Sequence, residues 1–588
     1  MMHTARIRRL LSRLALCLLG ALAGASIWAI GETWNAAGWP HGVFLAVLVL
    51  VSVQASVSLA LAGPVAVRRA VPGALLIALP VTALASWAGH RHGDPMALLD
   101  QPWMVSMMAL MVFLAAPFLL VWLREPGKWR SYAVLFETAW TMTARYLIAW
   151  AFVAVFWALL FLSDAVLSLV DVRVLSDLLE REWLALILSG TVLGLGLAVV
   201  HELSETLSPF LVLRLLRLLV LPVLVVMLVF LGAVPLRGVV NLFGEVSPAS
   251  TLMVSAIVAI SLVSIAVERD DTLSVDTSVQ RTSTRALALT VPFLAGLALW
   301  AVSLRVIQHG WTPDRVLAAL VCAVLLIYGT GYAGAVLMRG NWTGRIRLVN
   351  VVLGLSTMIV CAMWLTPVLN ADRIASNSQV ARFAKGKTDL DALPLWAMGH
   401  DWGKAGQTGL ERLAGMTEHP DHAAIVERIT HLRDQANPFR FEQVILDQRA
   451  PEELAALVAE MPVQPAGEGL TLAELEGLPD YRRLQWLEAC RRVLPGGGPG
   501  CVMVRGQFLP ADAPQAMVLF LENGQTHASY VIFDADEVTV HEAYDPVGRS
   551  WPLLSPEAIA QAQRGAFQLK PRPGLALHIG GRVLEAGR

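Results

Sequence analysis

The chain has 588 residues, 56% hydrophobic and 15% charged, with 45 Lys and Arg against 46 Asp and Glu. Soluble domains carry about 25% charged residues, so a wholly soluble chain is excluded. A net charge of −1 leaves no electrostatic footprint for a nucleic-acid partner.

The charge deficit lies in residues 1–369. Arg6, Arg8 and Arg9 precede an apolar stretch that ends in Ala23-Gly24-Ala25. That pattern has the form of a signal peptide, but further spans come after it, so an uncleaved first helix is expected. A bilayer core requires about 20 apolar residues per helix. Runs of that kind lie near 14–30, 43–66, 71–88, 103–123, 146–170, 183–200, 218–235, 249–267, 286–304, 315–338 and 348–369. The predicted fold is an α-helical polytopic membrane bundle of about 11 transmembrane helices, followed by a soluble C-terminal part that is helical first and then α+β. The expected boundaries are 1–369 for the bundle, 370–495 for a juxtamembrane helical region and 496–588 for a strand-rich region.

Alternate connections differ in charge. About eighteen Lys and Arg fall on the side of the N-terminus and about six on the other side. The excess marks the cytoplasm, so the N-terminus is expected there and the tail is expected outside, in a periplasm if the cell has one. The hardest boundary is 201–217, and a missed span would invert the tail.

Glu137, Arg145 and Asp164 lie in or just ahead of the fifth run. Charge in a span is costly, so these residues are candidates to line a polar cavity. An interfacial approach helix with Arg145 snorkelling is the plainer alternative. Next comes His201-Glu202-Leu203-Ser204-Glu205, which has the spacing of the metal motif H-E-x-x-H with Glu in place of the second His. His201, Glu202 and Glu205 are therefore metal candidates, although a polar helix end explains them more simply and no third-ligand partner is identifiable. Gly329, Gly331 and Gly334 match G-x-G-x-x-G, but inside an apolar run they fit close helix packing better than nucleotide binding.

In the tail, helical spacing marks Glu411–Met416, Ala423–Gln435, Glu452–Met461 and Tyr481–Val493. Thr471 and Glu474 have capping-box spacing. Strands are expected at Ala516–Leu521, Ser529–Phe533 and Val538–His541, with a hairpin turn at Asn523-Gly524. Ser555-Pro556-Glu557 should start a helix. Cys490 and Cys501 flank the loop Gly496–Gly500 and could form a disulfide in an oxidising compartment.

Two stretches resemble a family of bacterial multi-pass membrane proteins known as domain of unknown function 4153. The first is Arg305 to Arg315, Arg-Val-Ile-Gln-His-Gly-Trp-Thr-Pro-Asp-Arg. The second begins at Asp372-Arg373-Ile374 and continues through Ser378-Gln379-Val380-Ala381-Arg382-Phe383, Gly386-Lys387 and Trp402-Gly403-Lys404 to Leu410-Glu411-Arg412-Leu413. The likeness covers roughly residues 130–415. It implies a bacterial inner-membrane protein and carries no activity with it.

The leading functional expectation is an envelope-associated binding or sensing protein that anchors an extracytoplasmic domain. The alternatives are a transporter or lipid-handling protein with a polar intramembrane cavity, and a metal-dependent membrane enzyme. No catalytic signature is present, and no cofactor is expected. The expected partners are membrane lipids and an envelope protein docking through residues 370–588, with no nucleic acid.

Overall fold

The computed structural model describes residues 2–170, 177, 180–203, 210–237, 248–268, 277–435, 437–509, 513–534, 538–544, 554–572, 574–579 and 582–586. The chain separates into two compact units, Met1–Ile429 and Thr430–Arg588.

The first unit is helical. Its long helices are α1 (Met2–Ala37), α2 (His41–Leu61), α3 (Val67–Gly89), α4 (Pro102–Arg124), α5 (Tyr132–Ser168), α6 (Glu182–Leu203), α7 (Phe210–Leu218), α8 (Val220–Arg237), α9 (Pro248–Val267), α10 (Ser278–His309), α11 (Pro313–Leu337) and α12 (Trp342–Leu365). Among the described residues, eleven helical segments are long and apolar enough to cross a membrane, with Leu213–Val234 joining α7 to α8. The chain is thus a multi-pass membrane protein by length and composition. The expected run 43–66 ends early: α2 stops at Leu61, Gly63 takes φ +100°, and Pro64 comes next. The fifth helix starts earlier than expected, at Tyr132, so Glu137, Arg145 and Asp164 share one continuous helix.

Apolar surface cannot pull helices together within lipid, so small residues that permit close approach do that work. Gly20 and Gly24 of α1 meet Gly190 and Gly194 of α6. A Cβ on Gly20 would stand 1.9 Å from the Gly190 carbonyl oxygen, and one on Gly194 would stand 2.1 Å from that of Leu16. Neither four-residue glycine spacing stands out in the sequence. A Cβ on Gly329 of α11 would lie 2.7 Å from the Pro292 nitrogen of α10. That glycine serves packing, as its place in an apolar run suggests.

Four shorter helices follow, α13 (Ala371–Ala384), α14 (Leu395–His400) and α15 (Gly403–Ala414) within the first unit and α16 (His422–Asp434), in which the division at Ile429 falls. Helix α13 holds the loop between α10 and α11. Gln379 Nε2 donates to the His309 and Trp311 carbonyls at 3.1 and 2.9 Å. Arg382 donates to those of Ile307 and Gln308 at 3.0 and 2.7 Å. The segment starting α15 holds the loop after α3: the Lys404 amide donates to the Arg91 carbonyl at 2.8 Å, and its Nζ donates to that of His90 at 2.9 Å. The boundary expected at 369 therefore does not separate the bundle from α13, α14 and α15. The helical region expected over 370–495 is divided between the two units.

In the second unit, α17 (Pro438–Glu460) and α18 (Asp480–Arg491) precede most of an eight-stranded sheet of order β1-β2-β3-β4-β5-β8-β7-β6. The strands are β1 (Val463–Gln464), β2 (Cys501–Arg505), β3 (Gln515–Glu522), β4 (Gln525–Phe533), β5 (Val538–Tyr544), β6 (Gln568–Arg572), β7 (Gly574–Ile579) and β8 (Arg582–Ala586), and among the described residues β1 and β2 pair in parallel and the other neighbours antiparallel. Asn523 and Gly524 turn β3 into β4, both with positive φ as a two-residue hairpin demands. Alternation sends Met503, Val518 and Val531 to the face covered by α17 and α18, through Leu457 and Trp486. Val504, Leu519 and Tyr530 go to the other face, under Ile559 of α19 (Pro556–Gln563). Cys490 of α18 is disulfide-bonded to Cys501 of β2.

The glycine seam can be tested by substitution. Gly190→Ala would add about 1 kcal/mol of helix propensity at an open site. Here the overlap with Gly20 should reverse the sign, lowering stability by about 1–3 kcal/mol in thermal unfolding of the detergent-solubilised protein. Gly232→Ala of α8, with nothing within 4 Å of the added Cβ, should not be destabilising. A pH dependence is expected from Asp372, which is 3% exposed on α13. Burial pushes its carboxyl up to about 6, against a smaller opposing pull from Arg91. The folded chain then binds this proton more tightly than the unfolded chain, where the value is about 3.9. Its contribution to stability is complete below about pH 4 and lost as pH rises through about 6. That segment of the stability–pH curve should flatten in Asp372→Asn, as read by thermal unfolding across pH 4–7.

Candidate ligand-binding cleft

Helices α2, α4 and α5 do not close on one another. Between them lies a cavity of about 700 Å³, walled by residues such as Val53, Val57, Met108, Val112, Ala116 and Met142. It runs along α2 from Leu48 to Ala60, about 18 Å at 1.5 Å per residue. Half the hydrocarbon thickness of a bilayer is about 15 Å, so the cleft has the length of one leaflet. No charged side chain lines it. Its hydroxyls are largely turned to the backbone. Ser56 donates to the Ser52 carbonyl at 2.8 Å, Thr143 to that of Ala139 at 2.9 Å, and Tyr146 to that of Ser56 at 2.6 Å. A hydroxyl bonded in this way is a poor donor for a guest, so the cleft suits an aliphatic chain.

One end of the cleft meets the turn between α2 and α3. Arg145 is buried there and donates through Nη2 to the Ala62 carbonyl at 3.0 Å. The guanidinium satisfies a carbonyl freed by the end of α2. A Cβ on Gly63 would stand 3.1 Å from Arg145 Nη2 and 3.1 Å from the His201 ring. Glycine is needed at this place for its φ and for the space it leaves. The structure thus brings together Arg145 and His201, which the sequence assigned to two separate candidate groups.

The other candidates do not join them. Glu137 is exposed and Asp164 is half-buried, beside exposed Phe161 and Leu162. Nineteen residues of continuous helix put Asp164 about 28 Å from Arg145 along α5, so Glu137, Arg145 and Asp164 do not form the polar cavity expected of them. Arg13 of α1 grips the Glu202 carboxylate, with Nη2 at 2.5 Å and Nε at 3.0 Å. That ion pair takes the charge a cation would need. Glu205 lies outside the described residues. Among the described residues, no group of three His, Cys, Asp or Glu is placed to hold a metal ion, so the reading of His201, Glu202 and Glu205 as a metal centre gains no third ligand.

The cleft itself was not foreseen from the sequence. Its walls come from three helices whose apolar residues look alike in one dimension. The Gly63-Pro64 break was the available signal, since that dipeptide interrupts a helix wherever it falls.

Gly63→Ala should strain the backbone and crowd Arg145 and His201, lowering stability by about 1–3 kcal/mol in thermal unfolding, whereas Gly296→Ala, with open space at its Cβ, should not. Compared with known protein families, with curated proteins and with solved structures, the chain finds no match.

Proposed function

We propose that this chain is a bacterial inner-membrane protein that binds a lipid in the α2–α4–α5 cleft. The observation that carries the reading is the cleft: a leaflet-long cavity of about 700 Å³ with no charged lining. Of the expected alternatives, lipid handling therefore leads, and a transport path built on Glu137, Arg145 and Asp164 loses its convergence. In this reading the N-terminus is cytoplasmic, on the Arg-rich side of the bundle, and Thr430–Arg588 is extracytoplasmic. The disulfide between Cys490 and Cys501 supports that side independently, because such bonds persist in oxidising compartments.

Membership of the family called domain of unknown function 4153 is part of the same proposal. It is supported by the placement of the two resembling stretches, which hold each other through Gln379, Arg382 and the carbonyls of residues 307–311. A second reading, a sensing domain displayed by its membrane anchor, is favoured by the separate two-faced core of Thr430–Arg588. An envelope protein would then be its partner.

Native mass spectrometry of the intact protein released from lipid nanodiscs tests the lead. The wild type should retain one lipid of a defined class. Ala109→Trp, at the cleft wall, should reduce that occupancy at least about fivefold, a loss of about 1 kcal/mol of binding. Equal retention of mixed lipid by both proteins would sink the reading.

A further inference from the structure

A second cavity of about 490 Å³ lies across α4, bounded by α4, α5, α9, α11 and α12. It shares Phe113, Pro117, Ala139 and Thr143 with the cleft, so the two are neighbouring chambers. The lining differs in kind. Six aromatic rings face the second chamber: Phe113, Phe118, Tyr132, Phe136, Trp140 and Tyr328. Three of them form a ladder along α5, with centroids 5.6 Å apart from Tyr132 to Phe136 and 6.2 Å apart from Phe136 to Trp140.

The polar floor is a network whose protons can be counted. Tyr332 donates to Asn350 Oδ1 at 2.5 Å, and Ser264 donates to the Ile260 carbonyl at 2.9 Å or to the Tyr332 hydroxyl at 2.8 Å. The two N–H groups of Asn350 point to the Tyr132 hydroxyl at 3.2 Å and to Ser264 Oγ at 3.3 Å. Those bonds use every proton of Tyr332, Ser264 and the Asn350 amide. Tyr132 accepts from Asn350 and keeps its own proton, for which no acceptor occurs among the described residues. Its ring lines the chamber.

A guest must therefore bring an acceptor oxygen. It must also be neutral, because no charged side chain lines the chamber and an unpaired phosphate or carboxylate would lose its hydration without compensation. Aromatic walls on several sides favour a flat ring that can stack or meet them edge-on. A membrane quinone combines all three properties with an apolar tail.

We propose that this chamber binds the ring of a membrane quinone, with Tyr132 donating to one ring carbonyl and the tail passing Pro117 into the α2–α4–α5 cleft. The path of the tail rests on the lipid-binding reading, but the ring site does not.

The test uses the full chain in phosphatidylcholine nanodiscs and a short-tailed, photoreactive benzoquinone. Because the probe lacks a long tail, it reads the ring chamber alone. Cross-links should concentrate on peptides containing Tyr132, Ser264 or Asn350. A short-tailed benzoquinone without the photoreactive group should compete for them, and a diacylglycerol should not. Tyr132→Phe should weaken competition about two- to tenfold, the worth of one hydrogen bond. Labelling spread over all the lipid-length helices, equal competition by the diacylglycerol, or an unchanged affinity in a folded Tyr132→Phe overturns the proposal. If that variant does not fold, competition on the wild type decides. Quinone labelling without retained long-chain lipid would remove the cleft reading alone. Retained lipid without labelling would remove the ring site alone.

Discussion

A polar group buried among apolar helices has no water to turn to, so the protein must satisfy it from within. The contacts of the first unit reflect that constraint. Serine and threonine hydroxyls fold back onto the preceding turn, as Ser56 does to Ser52, Thr143 to Ala139, Ser264 to Ile260 and Thr357 to Leu353. Arginines serve the places where a helix ends and its carbonyls are left over. Arg145 reaches Ala62, Arg347 reaches Val267 and Glu268, and Arg382 reaches Ile307 and Gln308. A guanidinium suits this task because it is planar, carries five donors and stays charged. Where the same accounting leaves a proton over, as at Tyr132, the surplus is chemically informative.

Packing obeys a second rule. Within lipid the helices gain little from burying apolar surface, so contact depends on backbone approach. Glycines supply it between α1 and α6 and between α10 and α11. Helices α2, α4 and α5 cross without such a seam, and α4 carries Pro117 between the two chambers. The proline removes one donor from the helix ladder. Close crossings and open chambers are two outcomes of one packing mechanism, decided by which residue type stands at the crossing.

The second unit obeys soluble-protein physics. Its sheet buries both faces because α17 and α18 cover one and α19 the other, so the central strands carry apolar residues in near-continuous runs. Buried charge is held in pairs and triads. Glu453 lies between Arg483 at 2.8 Å and Arg449 at 2.9 Å, and Arg482 reaches Glu542 from α18 to β5. The cysteine bond adds a covalent tie between that same helix and β2.

Local features were legible in one dimension. Run lengths of apolar residues marked eleven membrane-length segments, because hydropathy alone decides what a bilayer core accepts. Asn523-Gly524 marked its hairpin, because positive φ at two successive positions is cheap for few residue pairs. Thr471 and Glu474 have capping-box spacing and the Glu474 carboxylate accepts from the Thr471 amide at 2.9 Å, but only a single 3-10 turn, Ala473–Leu475, follows, with Leu472 at its N-cap. Which helix face meets which neighbour was not legible, since apolar residues fill most faces of these helices. The tertiary structure alone decided that Arg145 and His201 share the turn at Gly63, that Glu202 is taken by Arg13, and that α13 stays with the bundle. Each depends on contacts between residues far apart in the chain, such as Arg13 and Glu202. The two chambers belong to the same class: a cavity is the space several helices fail to fill, and no single stretch of sequence contains it.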